Sequence, residues 1–303
     1  MSTMARSRGF KQHWQLYLLV LPAALYFAIF KYVPLFGIQI AFKDYSPFVG
    51  IWRSPLNNLA NFRDFFSHYQ FATILYNTVS LSLYEVIVHF PFPVVLALLM
   101  HQLRNSVWRR GLLTAFIFPY FISVVVLVGL INLFLSPNFG AVNAAIRAVT
   151  GRTIFFMGES DWFQTVYVFS GIWKRAGWGS LIYLGALSAI DPSLYDAADV
   201  DGAGRLRKIT HIDIPSIMPT IIVMLILSIG NIMSVGFEKT YLMQNTLNLD
   251  RSEIIATFVY KMGLIQNRFG FATAVDLFNG VINLVLVLTF NRVARTVSEN
   301  SLW

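Results

Sequence analysis

Six stretches of this chain are long and apolar enough to cross the hydrocarbon core of a bilayer, which takes roughly 20 consecutive apolar residues in a helix. They are residues 15–37, 73–100, 112–135, 163–190, 214–235 and 271–293. In lipid, a segment must pair its own backbone N–H and C=O groups, so each stretch is read as a helix. No alternating pattern of barrel strands occurs. Composition points the same way: 56% of the 303 residues are hydrophobic and only 13% are charged. Soluble domains carry roughly 25% charged residues, so there is too little charge here to cover a watery surface.

The charge that is present sits at the ends of the apolar runs. The formal net charge is +8, which in a soluble chain would raise nucleic-acid binding. Here the placement points to membrane topology and anionic lipid headgroups instead. Arg6, Arg8 and Lys11 precede the first run, and Arg104, Arg109 and Arg110 fill the link after the second. Arg205, Arg207 and Lys208 follow the fourth run, and Arg292 and Arg295 close the sixth. These four segments share one side, which the positive-inside rule makes cytoplasmic. Both termini, 1–14 and 294–303, are expected there. A cleaved leader is the rival reading of the first run. That run continues past Pro34 without a small-residue cleavage site, so it is read as a retained helix.

The links on the other side, 43–70, 136–162 and 236–270, carry Tyr45, Trp52, Tyr69 and Trp162 near the membrane boundary, as an aromatic belt would. Pro47, Pro55, Asn57 and Asn58 mark turns, and 141–149 reads as a short amphipathic helix. The absence of cysteine excludes disulfides, thiolate catalysis and cysteine-bound metals. His13, His68, His89, His101 and His211 show no metal-ligand spacing, which argues against a membrane metalloenzyme.

The most informative stretch is AIDPSLYDAADVDGAGRLRKITHIDIPSIMP, residues 189–219. Asp191 and Pro192 have the chemistry of an N-cap and a first helical position. Residues 193–200 then form a short acidic helix. Gly202 permits a sharp turn, and residues 205–211 form a second short helix, basic in character, before Pro215 and Pro219 open the fifth run. Ala197, Ala198 and Ala203 keep the surface low enough for another protein to approach closely.

Asp196-Ala197-Ala198-Asp199-Val200-Asp201-Gly202-Ala203, with Ile214-Pro215 downstream, resembles the "EAA" coupling loop of the permeases of ABC importers. The departures are Asp196 where that family has glutamate and Ile214 where it has leucine before the proline. The segments GIWRSPLNNLANFRDFF, WKRAGWGSLIYLGALSAIDPSLYDAADVDGAG, SIGNIMSVGFEKTYLMQN, IIATFVYKMGLI and SENSLW are similar to the oligosaccharide and polysaccharide branch. The resemblance implies a single permease domain over 1–303: an all-α integral membrane protein with about six transmembrane helices in 15–293 and a cytoplasmic coupling helix, within 191–213, between helices four and five. It also implies three kinds of partner. These are a second permease chain, favoured as a related rather than identical one, two cytoplasmic ATPase subunits that bind ATP and Mg, and an extracytoplasmic solute-binding protein. This chain has no Gly-x-x-x-x-Gly-Lys-Ser/Thr phosphate loop, so ATP chemistry is assigned to those ATPases and no cofactor to the chain itself. On the resemblance, Ala197, Ala198 and Gly202 are the close-approach residues, while Asp196 and Asp201 make polar contacts to the ATPase.

Ionisable residues within membrane spans are costly and therefore functional candidates. Glu85 and His89 are four apart on the second run, with Pro91 and Pro93 expected to bend it. Lys174 and Arg175 lie inside the fourth run beside Trp173 and Trp178, where Gly177 and Gly179 are read as loosening the backbone. Asp276, Asn279 and Asn283 repeat at helical spacing on the sixth. One reading gathers these residues in a polar, aromatic-lined path for a sugar, acidic if both cations face it. A second pairs Lys174 or Arg175 with Glu85 or Asp276 inside the bundle. A third lets the cations snorkel to a boundary. An ion-coupled secondary transporter is the alternative class, and it would lack a coupling loop.

Overall fold

The computed structural model describes residues 14–103, 106–230, 232–233 and 236–297. Arg6, Arg8, Lys11, His13, Arg104, the closing 298–303 and the expected end of the fifth helix at 235 lie outside the described residues. Among the described residues the fold is helical, with one isolated antiparallel bridge between Lys43 and Leu56. Contacts divide the chain into two compact units, Met1–Ser67 with Met262–Leu277 and His68–Lys261 with Phe278–Trp303.

In the first unit, α1 spans Trp14–Phe42 as one 29-residue helix. It tightens into 3-10 turns over Val33–Phe42 behind Pro34, and so runs past the expected end at 37. The turn expected at Asn57 and Asn58 is present: Asn58 and Leu59 both take positive φ, and α2, Ala60–Phe66, follows. Asn61 donates to the Ala41 carbonyl at 3.0 Å, and Phe65 meets Phe271 edge to face at 6.2 Å. Arg268 reaches Asp64 at 3.3 Å and lies over the Phe271 ring.

The second unit holds the bundle. Its helices are α3 Phe71–His101, α4 Val107–Phe121, α5 Val124–Phe134 and α6 Ala141–Thr150, then α7 Phe163–Ser188, α8 Pro192–Val200 and α9 Arg205–Gly230. Short helices α10 Phe237–Met243, α11 Leu249–Ser252 and α12 Ile255–Ile265 precede α13, Phe269–Val297. Length and apolarity qualify α1, α3, α9 and α13 as membrane spans, and the bent pair α4–α5 as a fifth. The sixth expected span, α7, is 26 residues long, about 39 Å at 1.5 Å per residue. Its apolarity is diluted by Lys174, Arg175 and four glycines. It tolerates this because it is the inner helix: eleven of its residues are buried, among them Tyr167, Ile172 and Leu187, so little of it needs to meet lipid.

Three expectations are corrected here. The third run is not one rod. It breaks by 102° between α4 and α5, because Pro119 ends the first half, Ile122 is extended, and Ser123 starts a new helix by accepting a hydrogen bond from the Val126 N–H. The second run carries Pro91 and Pro93 inside one continuous helix. A π-turn at Glu85–His89 widens the coil just ahead of Pro91, whose ring and missing N–H would otherwise disturb the ladder. The second, basic helix of the 191–213 loop does not stop before Pro215. A π-turn at Ile209–Asp213 carries it into the fifth span as one 26-residue helix. Gly177 and Gly179 do not loosen α7. A Cβ on Gly177 would collide with the Phe116 carbonyl of α4, and one on Gly179 would press on Pro93 of α3 at 3.2 Å. Both glycines let helices pack closely.

The link 236–270, expected on the outer side, contributes buried residues to the core. Thr257 and Phe258 of α12 are buried. Asn77 of α3 donates to the carbonyls of Asp250 and Glu253 at 2.9 and 3.0 Å, and Glu253 pairs with Lys261 at 2.5 Å. The amphipathic α6 forms as expected. It is held by buried Asn143, which donates to the Leu135 and Ile154 carbonyls and accepts from the Ile154 N–H.

Candidate functional site

Two places in the second unit carry chemistry. The first is the loop between α7 and α9. The Asp191 carboxylate accepts the Ser193 N–H at 2.9 Å and caps α8 with Pro192 at its first position. That bond holds the Asp191 carboxyl below the usual carboxylate range. The depressed group caps the helix at neutral pH, and the cap is lost as pH falls through the folded-state value. At the other end the Ala203 N–H donates to the Ala198 carbonyl at 2.8 Å, and Gly202 turns the chain at φ +70°, a conformation that side chains resist. Lys208 closes the turn onto Asp199 at 2.5 Å. Asp196, Ala197, Asp201 and Gly202 are exposed, Ala198 and Ala203 half-buried, and Pro215 is exposed on α9. Leu194, Val200 and Leu206 are exposed beside them, Val200 at 88%. Sequence reasoning passed over these three because single apolar residues in a polar loop carry no periodic signal.

The second place is a polar cavity of about 470 Å³ bounded by α3, α4, α7 and α9. The π-turn of α3 presents both Glu85 and His89 to it, and α7 presents Arg175 and Trp178. Arg175 donates to Glu85 in an ion pair across the cavity. This is the in-bundle pairing weighed above, made by Arg175 rather than Lys174 and with Glu85 rather than Asp276. His89 Nε2 is buried without a partner among the described residues. Tyr120, on the last turn of α4, stacks flat on Trp178 with centroids 4.5 Å apart and planes 7° apart.

Not every expected residue is here. Trp173 points into a separate groove of about 520 Å³ lined by Leu127, Ile131, Phe134 and Phe169. That groove has no charged lining residue to orient a polar ligand. Lys174 is half-buried and lines neither space. Asn283 accepts the Met233 N–H at 3.1 Å, which ties α13 to the end of α9. Asn279 is buried, and Asp276 is exposed on the part of α13 belonging to the first unit. None of the three lines the polar cavity.

One group was missed. Lys239 of α10 is 8% exposed. Its Nζ donates to the Tyr167 carbonyl at 2.5 Å and lies 4.1 Å from the centre of that ring. Gly171 leaves room for it: a Cβ there would stand 3.4 Å from both Lys239 Nζ and Arg175 Nη2. Lys239 and Arg175 therefore both stand beside Gly171, and Glu85 pairs with Arg175. The apolar neighbours Phe237, Tyr241 and Met243 were the available signal that Lys239 is buried.

Known proteins share this architecture. A sequence profile described as "Binding-protein-dependent transport system inner membrane component" matches residues 91–299. Protein LplB of Bacillus subtilis is 41% identical over 95% of this chain and 91% of its own. The polygalacturonan/rhamnogalacturonan transport system permease protein YteP of the same organism is 41% identical over 96% and 91%. A crystal structure of a bacterial ABC transporter involved in the import of the acidic polysaccharide alginate contains a chain that superposes with a TM-score of 0.90. It is 36% identical, over 97% of this chain and 99% of that one. With a profile covering most of its length and relatives matching nearly end to end, the chain belongs to the family of binding-protein-dependent transport system inner membrane components, the permeases of ABC importers.

Proposed function

We propose that this permease passes an acidic oligo- or polysaccharide from an extracytoplasmic solute-binding protein into the cytoplasm, paired with a second permease and driven by two ATPase subunits. Both termini then lie in the cytoplasm with the coupling loop. The observation that carries the substrate class is the polar cavity. A stacked Tyr120–Trp178 pair offers apolar faces on which a sugar ring can pack, and Arg175 presents a guanidinium to the same space. The relatives support it: one transports polygalacturonan and rhamnogalacturonan, and a similar structure was solved with an alginate pentasaccharide-bound periplasmic protein. Energy enters at Asp196, Ala197, Ala198, Asp201 and Gly202, where the low, exposed surface admits an ATPase groove.

Retention of the ATPase subunits by a tagged permease after gentle detergent purification tests the coupling loop. The wild type is expected to hold them, and Gly202→Asp and Ala198→Arg to release them. Aspartate tolerates positive φ better than most residues, and Gly202 has open space around it. A loss in Gly202→Asp therefore reports the approach surface and not misfolding. Retention in both variants, or none in the wild type, removes the coupling assignment.

Uptake into proteoliposomes at equal binding-protein loading tests the substrate. A uronate oligomer is expected to exceed a neutral oligomer of the same length, and Arg175→Gln to cut uronate uptake by about tenfold, the value of one charge-assisted hydrogen bond. Faster import of the neutral oligomer would exclude an acidic substrate.

A further inference from the structure

Asp213 is the most deeply buried carboxylate of the cytoplasmic half, with no exposed surface, and no ion pair among the described residues includes it. Hydroxyl and amide donors from two other elements hold both its oxygens. The Tyr195 hydroxyl, on coupling helix α8, donates to Oδ1 at 2.5 Å. Gln102, at the C-terminal end of α3, donates through Nε2 to Oδ2 at 2.9 Å. Because the Tyr195 proton points at Asp213, the His101 Nε2 contact to the same hydroxyl at 3.2 Å runs as Nε2–H to oxygen. This sets the ring tautomer and leaves Nδ1 as the buried, unpartnered atom that is observed. Burial, and then the Asp213 carboxylate, push the Tyr195 phenol well above its ordinary value, so the donor keeps its proton at any physiological pH.

The elements that meet here are those that need to move together. Tyr195 is one residue from Asp196 on the surface assigned to the ATPase. Asp213 sits in the π-turn of α9, whose Met224 and Ser228 line the polar cavity. His101 and Gln102 end α3, whose Glu85 and His89 line the opposite wall. Apart from half-buried Ala198 the rest of α8 is exposed, so this node is its polar anchor to the bundle.

We infer that Tyr195, Asp213 and Gln102 form a hydrogen-bonded latch that transmits displacement of the coupling helix to the two helices walling the cavity. They are positioning residues for coupled transport and do not contact substrate. The inference rests on the coupling-loop reading above. When the ATPase pair moves α8, the Tyr195–Asp213 bond carries the foot of α9 with it, and Gln102 carries the end of α3. A charge-assisted bond in a buried site is short, directional and costly to leave unmade, as a transmitting contact has to be.

The test uses the assembled complex in proteoliposomes with its binding protein, measuring sugar imported and ATP hydrolysed in the same sample. Tyr195→Phe removes one oxygen and keeps the ring, and Gln102→Leu removes the second donor. Both are expected to retain the ATPase subunits and to keep hydrolysing ATP, while sugar imported per ATP falls by about tenfold, the equilibrium weight of one such bond. An unchanged ratio in Tyr195→Phe, in a complex that holds its ATPase, overturns the latch alone. So does a parallel fall of transport and hydrolysis, which marks a bond that only maintains structure. A wild-type complex that holds no ATPase overturns the latch together with the coupling-loop reading.

Discussion

Gly177→Ala is expected to cost about 3 kcal/mol or more of stability, near the upper end for overpacking by a single methyl. The added carbon would fall against the carbonyl of Phe116 and within 2.7 Å of the Ile117 nitrogen. These are backbone atoms of α4 and cannot rotate aside as a flexible side chain could. Relief requires α4 and α7 to separate, which would also pull Tyr120 from Trp178. Gly185→Ala on the same helix is the control. Nothing lies within 4 Å of its missing Cβ, so the helix propensity of alanine should stabilise by up to about 1 kcal/mol. Thermal unfolding of the purified permease in detergent reads both. A Gly177→Ala protein as stable as wild type would mean that α4 and α7 pack less closely than described.

The second large effect concerns the charges of the polar cavity. Removing one member of a buried ion pair costs about 3–5 kcal/mol. The Arg175 and Glu85 side chains are 45% and 19% exposed, so solvent screening reduces the expected loss to about 1–3 kcal/mol. The loss should be asymmetric. Glu85→Gln leaves Arg175 unpaired with a second cation, Lys239, beside the same glycine, Gly171, whereas Arg175→Gln leaves Glu85 unpaired but removes one of the two cations. The glutamate substitution is therefore the more damaging, and the double variant should recover part of that loss. The three melting curves form a cycle that isolates the interaction. Equal losses that simply add would show that Arg175 and Glu85 do not interact and that Lys239 has no bearing on either.

Much of this molecule was legible because membrane solvent leaves few options. Apolar runs of bilayer length must be helices, and their ends came within a few residues of the structure except where proline intervened. The loop chemistry was equally readable, since Asp191 before Pro192 is an N-cap by side-chain type and Gly202 is a left-handed turn by default. Four features were not readable, each for a stated reason. Pro119 breaks its run completely, while Pro91 and Pro215 sit in continuous helices. The difference lies in the π-turns ahead of the latter two, which no local composition announces. The grouping of Trp173 with Trp178 ignored helical geometry: five residues at 100° each put them about 140° apart, and they open onto different spaces. Glu85 was named as a partner for Lys174 or Arg175, but choosing between neighbouring cations needs the register of two packed helices. Lys239 escaped because a lysine in a link reads as solvated until its apolar neighbours are seen to fold inward.

The 102° elbow between α4 and α5 has a mechanical consequence. Tyr120 stands at the elbow and Trp178 on an unbroken helix, so the two rings resemble a door leaf resting against a post. A leaf mounted at a joint swings through a wide arc for a small torsion at Ile122, whereas the post stays still. A mouth adjusted in this way can admit sugar units of differing bulk in succession without repacking the surrounding wall.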